Sequence, residues 1–202
     1  QGYFVEALFP DQLQRKNDFL PTLWASRRIG SLLEQIRLHG QKEDLVEEVV
    51  SLSRRFGVVT EYTAFLSQEE GELSDGEAAK RAMSLMSRAN AVQSGAWAVM
   101  QANNDRALQQ RAVAAPAANT FVDRRGKRRE ARRVKQVGGR VFYKRQGRWV
   151  EAGEDKAKKR RRIKAFSDEY FDLVEKNKDF SRAQSLDGKV TITVGEEAIE
   201  VY

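Results

Sequence analysis

LPTLWASRRIGSLLEQIRLHGQKEDLVEEVVSLSRRFGVVTEYTAFL, Leu20 to Leu66, is the stretch whose reading decides the fold. Ala25, Ile29, Leu32, Leu33 and Ile36 recur at three- and four-residue steps, which places one apolar face on a helix. His39-Gly40 ends it, because glycine tolerates the left-handed conformation found past a helix terminus. Leu45, Val49, Leu52 and Phe56 define a second helix, with Gly57 as its cap. Glu43, Asp44, Glu47 and Glu48 lie early in it and Arg54 and Arg55 late, as the helix dipole favours. The short connection implies an antiparallel pair. Val58 to Leu66, β-branched and aromatic, reads as a strand.

Outward from this pair, Gly2-Tyr3-Phe4-Val5-Glu6-Ala7-Leu8-Phe9 reads as an N-terminal strand. A chain that opens inside an element is expected to be a fragment or a processed form. Gln68 to Gly76 reads as an acidic loop, with Ser74 or Asp75 as the next cap. From Glu77 to about Ala114 good helix formers dominate, and Ala82, Leu85, Met86, Ala89, Val92, Ala96, Val99 and Met100 form one stripe. Gly95 marks either a close packing point or a break into two helices. Pro116 ends the stretch in a linker. Beyond it, Val137 to Val150 reads as a hairpin turning at Gln146-Gly147. Ser167 caps a short helix, and Lys189 to Tyr202 reads as a terminal hairpin turning at Gly195-Glu196. The expected class is α+β, with an N-terminal strand, an antiparallel helix pair, a long helical segment and a small β-rich module with hairpins. The expected units are 1–67, 68–119 and 120–202.

The 202 residues carry a formal charge of +7, which conceals an asymmetry. Residues 124–164 hold 19 Lys or Arg against 4 Asp or Glu, whereas the remainder holds 17 against 25, so +15 sits beside −8. Arg124, Arg125, Lys127, Arg128, Arg129, Arg132 and Arg133 form one cluster. Lys156, Lys158, Lys159, Arg160, Arg161 and Arg162 form the other, with Phe142, Tyr143 and Trp149 between them. Cations interleaved with aromatics can neutralise phosphates and stack bases. The same charge can pair with acidic parts of its own chain.

Catalytic signals are weak. The chain has no cysteine and a single histidine, His39, so no His- or Cys-based zinc site can form. His39 reads as a helix-end residue, the Glu43–Glu48 carboxylates as first-turn charges and Ser167-Asp168-Glu169 as a cap. No nucleophile motif surrounds any serine, and Gly138-Gly139 lacks the context of a phosphate loop. Trp24, Trp97 and Trp149 read as packing anchors. A non-enzymatic chain is expected, with no cofactor of its own. No apolar run approaches the roughly 18 residues of a membrane span.

Several blocks carry a resemblance. Leu23-Trp24-Ala25, Arg27-Arg28-Ile29, Leu32-Leu33, Ile36 to Gly40, Leu45 to Val50, Phe56 to Thr60, Tyr62-Thr63 and Phe65-Leu66 resemble the region after the von Willebrand A domain in proteins that combine it with a VIT domain, of the inter-alpha-trypsin inhibitor heavy chain type. Glu61 and Ala64 depart from that pattern, which has proline and serine there. Ser94-Gly95 with Ala98-Val99, Val137 to Arg140, Phe142-Tyr143, Trp149-Val150, Phe166-Ser167 and Tyr170-Phe171 are similar to later blocks of bacterial members. The resemblance implies an upstream A domain holding a divalent metal in an Asp-x-Ser-x-Ser site, a pattern this chain lacks. It also implies an extracytoplasmic scaffold or adhesion protein. The first partner would be the upstream half, met by Trp24, Ile29, Leu33, Leu45, Val49 and Phe56. Another protein or an acidic polymer is the further expectation, the latter through the basic clusters.

Overall fold

The structure, a computed structural model, describes residues 19–67, 73–92, 94–111 and 119–202. The expected strand at Gly2–Phe9 lies outside these residues. The chain is α+β, with four helices among the described residues followed by a mixed six-stranded sheet that carries two more.

Helix α1, Leu20–His39, has Pro21 in its first turn, where a missing N–H costs nothing. Its face of Ala25, Ile29, Leu32, Leu33 and Ile36 is buried, and Gly40 closes it with φ +88. Helix α2, Glu43–Phe56, follows after three residues and buries Val46, Val49, Val50 and Leu52 against α1. Gly57 then turns the chain in the left-handed region at φ +63.

Residues 58–66 do not form the expected strand. Val58, Val59 and Thr60 are buried in succession, and the chain tightens into a 3₁₀ turn at Ala64–Ser67. Threonine hydroxyls take the place of a ladder. The Thr60 N–H donates to Thr63 Oγ1 at 3.0 Å, and the Tyr62 N–H donates to Thr60 Oγ1 at 3.2 Å. Such local bonds compete directly with sheet pairing.

Helix α3, Asp75–Asn90, starts at a capping box in which Ser74 and Glu77 satisfy each other's backbone. Gly95 proves to be a break: with φ +87 it precedes a separate helix α4, Ala96–Gln109. The break resets the helical phase, so the expected stripe does not run on through α4. Val99 is 59% exposed, and Gln101, Asn104, Asp105 and Leu108 face inward instead. Helix α4 crosses α1 at Gly30, where a Cβ would stand 2.8 Å from the Asp105 carbonyl oxygen. Only glycine permits that approach.

Strands β1, Thr120–Val122, and β2, Arg128–Glu130, form a small antiparallel hairpin. The main sheet contains β3 (Val134–Val137), β4 (Arg140–Arg145), β5 (Arg148–Glu151), β6 (Lys159–Ile163), β7 (Lys189–Val194) and β8 (Glu197–Val201). Their spatial order is β3-β4-β5-β7-β8-β6, with β5–β7 and β6–β8 parallel and the remaining pairs antiparallel. Gln146 and Gly147, at φ 47 and 77, make the β4–β5 turn. Helices α5, Asp168–Lys176, and α6, Lys178–Ala183, lie between β6 and β7 in sequence. They cover one face of the sheet, over Phe142, Trp149, Ile163, Ile192 and Ile199.

The other face of β4 meets the helices. Val141 and Tyr143 pack with Val59 and Val134, and a Cβ on Gly57 would stand 2.8 Å from Val141 Cγ1. Tyr143 Oη donates to the Arg54 carbonyl at 3.0 Å, and Gln136 Nε2 donates to the Phe56 carbonyl and to Thr22 Oγ1. Asn119 accepts from the Val59 N–H and donates to the Gly57 carbonyl. Strand β4 is therefore buried on both sides, which joins the helical half to the sheet.

Candidate functional site

The six apolar residues singled out from the sequence part company in the fold. Ile29, Leu33 and Val49 are in the interior of the helical half, where no external partner reaches them. Leu45 and Phe56 are half-buried at its margin, while Trp24 is 56% exposed. Trp24 meets Phe56 edge-on at 6.3 Å between ring centroids, and the Arg55 guanidinium lies 5.3 Å from the Phe56 ring. Phe19 and Leu20 are also exposed, and Leu20 stands one helical turn before Trp24 on α1. The other two tryptophans differ from Trp24. Trp149 is buried with its indole N–H bonded to the Asp187 carbonyl, and Trp97 lines a cleft described below.

The two basic clusters sit at opposite ends of the sheet order. Arg132 and Arg133 lead into β3 at one edge, and Lys159 to Arg162 belong to β6 at the other. Five strand spacings, about 24 Å, separate the edges. The β6 arginines are matched by acids of the same chain. Arg160 pairs with Glu154, Arg161 with Glu169 and Glu197, Arg162 with Glu200, and Lys158 with Glu196. Beside β6 an aromatic group stands in solvent: Phe166, 76% exposed, meets Tyr170 at 5.5 Å and Phe171 at 6.4 Å.

The β1–β2 hairpin is organised otherwise. Asp123 accepts from the Arg125 and Lys127 N–H groups and from Arg129 Nε, so one carboxylate builds the turn. Those bonds hold its carboxyl below the usual carboxylate range, the Lys127 N–H foremost. Arg132 pairs with Glu130. Arg124, Arg125, Lys127 and Arg128 project from the same turn, exposed and without a carboxylate partner among the described residues.

The structure also assembles a polar interior that the sequence pattern does not signal. Asp105 is 4% exposed on α4 and accepts from Arg37 Nε at 3.2 Å, while Glu34 lies nearby on α1. Asn104 donates to Glu61 Oε2 at 2.5 Å and exchanges both amide bonds with the Val122 backbone, tying α4 to β1. The second oxygen, Glu61 Oε1, is buried and has no hydrogen-bond partner. Burial raises the Glu61 carboxyl to about 8, the Asp105 charge adding to it and the Asn104 bond opposing it. Asp105 rises to about 6, again through burial, with Arg37 opposing. The Tyr62 hydroxyl moves up as well, through burial first and then the two carboxyls.

Next to Glu61 a cleft of about 220 Å³ opens between α3, α4 and the hairpin. Leu85, Ala89, Trp97 and Phe121 supply its apolar walls, and Arg88, Asp123 and Arg124 its charged rim. No group of three or more His, Cys, Asp or Glu placed to hold a metal occurs among the described residues. Among them, too, no helix is long and apolar enough to cross a membrane.

No family model matches this chain, and comparison with curated proteins and with solved structures gives no match.

Proposed function

We propose that this chain is a non-enzymatic interaction module, the C-terminal part of a larger scaffold or adhesion protein of the VIT and A-domain type. Its patch of Phe19, Leu20, Trp24 and Phe56 seats the upstream half. The exposure of Trp24 beside the edge-on Phe56 ring carries this reading. Large aromatic residues standing in a contiguous exposed patch mark interaction surfaces. The divalent metal and the extracytoplasmic setting that go with the resemblance belong to the upstream half of the reading.

The test mixes this chain with a separately made upstream half and follows association by size exclusion with light scattering at low and moderate salt. A complex that survives both, and is lost on Trp24→Asp without a fall in Tm, supports the reading. Absence of a complex, or one indifferent to Trp24→Asp, overturns it.

We propose as a second reading the binding of an acidic polymer at the β1–β2 hairpin; the acidic neighbours of the β6 arginines support the hairpin over that strand. Affinity for heparin or single-stranded DNA should fall steeply with salt and drop on charge reversal at Arg125 and Arg128. Reversal at Arg160 and Arg161 should change it little. Equal losses from both pairs would refute the choice of the hairpin.

A further inference from the structure

We propose that the cleft beside Glu61 binds a small organic carboxylate with an aromatic or branched aliphatic body, the body against Trp97 and Phe121 and the carboxylate toward Arg88 and Arg124.

The volume, about 220 Å³, lies below that of pockets for drug-sized ligands and suits a single ring or a short branched chain. Leu85, Ala89, Trp97 and Phe121 give that body an apolar, partly aromatic surface. The charged residues sort themselves by the partners they already have. Asp123 is committed to its turn through Arg129 and two backbone N–H groups, so it offers little to a ligand. Arg88 uses Nε on the Ser84 carbonyl, and its terminal nitrogens have no partner among the described residues. Arg124 has no carboxylate partner among them either. Two guanidinium groups lining an apolar cleft suit a carboxylate, because each presents N–H groups in a planar fork.

Glu61 decides the sign of the ligand's charge. An ionised Glu61 would repel an anion, and its carboxyl, raised to about 8, is protonated at neutral pH. In that state Oε1, buried and without a partner, can carry an O–H that donates to the ligand or to a water bound with it. On the side away from the cleft, Asp105 on α4 raises Glu61 and is itself paired with Arg37, which also meets Glu34. Arg111 shares a small cavity with Glu61 and donates to Ser26 Oγ. Tyr62, which lines the cleft, stays neutral across the working range. Arg88, Asp123 and Arg124 stand on the cleft side.

The experiment titrates the ¹⁵N-labelled 202-residue chain at pH 7 with phenylacetate and, separately, with phenethylamine. The readout is the Trp97 indole N–H signal, assigned by Trp97→Phe. Phenylacetate should shift it saturably, with Kd at least about tenfold weaker in the R88A/R124A double variant, as expected for loss of charge-assisted hydrogen bonds. Phenethylamine should bind at least tenfold more weakly than phenylacetate. Raising the pH from 7 to 9 should weaken phenylacetate binding about tenfold in the wild-type chain, and Glu61→Gln should remove that dependence. An unresponsive Trp97, equal or tighter binding of the amine, or a Kd indifferent to R88A/R124A would each overturn the proposal. Circular dichroism on each variant reports that the fold is retained.

Discussion

The helical half and the sheet half bury different chemistry. Among the described residues, Ser26, Ser53, Thr60, Thr63, Ser67, Gln101, Asn104 and Asp105 are all buried in the helical half, whereas the sheet half buries Thr191. Its layer between α5, α6 and the strands consists of Phe142, Trp149, Ile163, Phe180, Val190, Ile192 and Ile199. An apolar layer of this kind is stabilised by removal of carbon surface from water and responds little to pH or salt. A polar interior is stable only while every group keeps its partner and its protonation state. The difference teaches where responsiveness resides: the half that looks more regular in sequence contains the titratable interior.

The largest effect should come from Leu33→Asp, which places an unpaired charge in the helical core and should unfold that half. Loss of far-UV helical signal would show it. A helical half that stays folded would mean that its interior tolerates charge, and the contrast with the sheet would break down. Phe142→Ala should cost about 3–5 kcal/mol by opening a cavity beneath α6, read as a fall in urea midpoint. That loss should be nearly constant between pH 5 and 8, because the layer is made of apolar side chains and the charged groups over its Trp149, Lys135 and Lys144, are not carboxyls.

The next effect sharpens the comparison directly. Glu61 and Asp105 have folded pKa values of about 8 and about 6, raised above their unfolded ones. The folded state then holds more protons between the unfolded and folded pKa values, so stability decreases as pH rises through that window. Thermal unfolding should show a Tm that falls from about pH 5 to about pH 8 and levels beyond it. Glu61→Gln should flatten the upper part of that slope, and a wild-type Tm that rises across the window would contradict the buried-acid interior.

Gly57→Ala probes the seam between the halves. At φ +63 the new side chain costs about 1–2 kcal/mol in backbone strain, and its Cβ would also press on Val141. One cooperative transition shifted to lower Tm is expected; two separate transitions would show that the halves unfold independently. The smallest effect should be that of Arg160→Ala or Arg161→Ala on β6. Their partly exposed pairs with Glu154 and Glu169 should contribute about 0–1 kcal/mol each, screened further by salt.

Local chemistry made several elements readable in advance. The apolar periodicity of α1 and α2, the glycines that follow them, the Ser74 and Ser167 caps and the Gln146-Gly147 turn all depend on residues within a few positions of one another. The same reasoning failed at Val58–Leu66, where strand propensity was outweighed by two threonine hydroxyls bonding their own backbone. It failed again in α4, whose inward face is chosen by partners far away in sequence. Arg37 meets Asp105 across 68 positions, and Asn104 meets Glu61 across 43. A carboxylate pattern in sequence does not distinguish a solvated residue from a buried one, so Glu61 appeared only as a departure from a family pattern.

By itself, then, the amino-acid order determined the helix pair, the Ser74 and Ser167 caps and the tight turns of the sheet, because capping, φ preference and 3.6-residue periodicity act within a few residues. The parallel pairing of β6 with β8, the acidic partners of the β6 arginines, and the cleft beside Glu61 were decided by the tertiary structure. Each depends on which distant groups are neighbours and how much water lies between them, and burial and electrostatic coupling are properties of that arrangement.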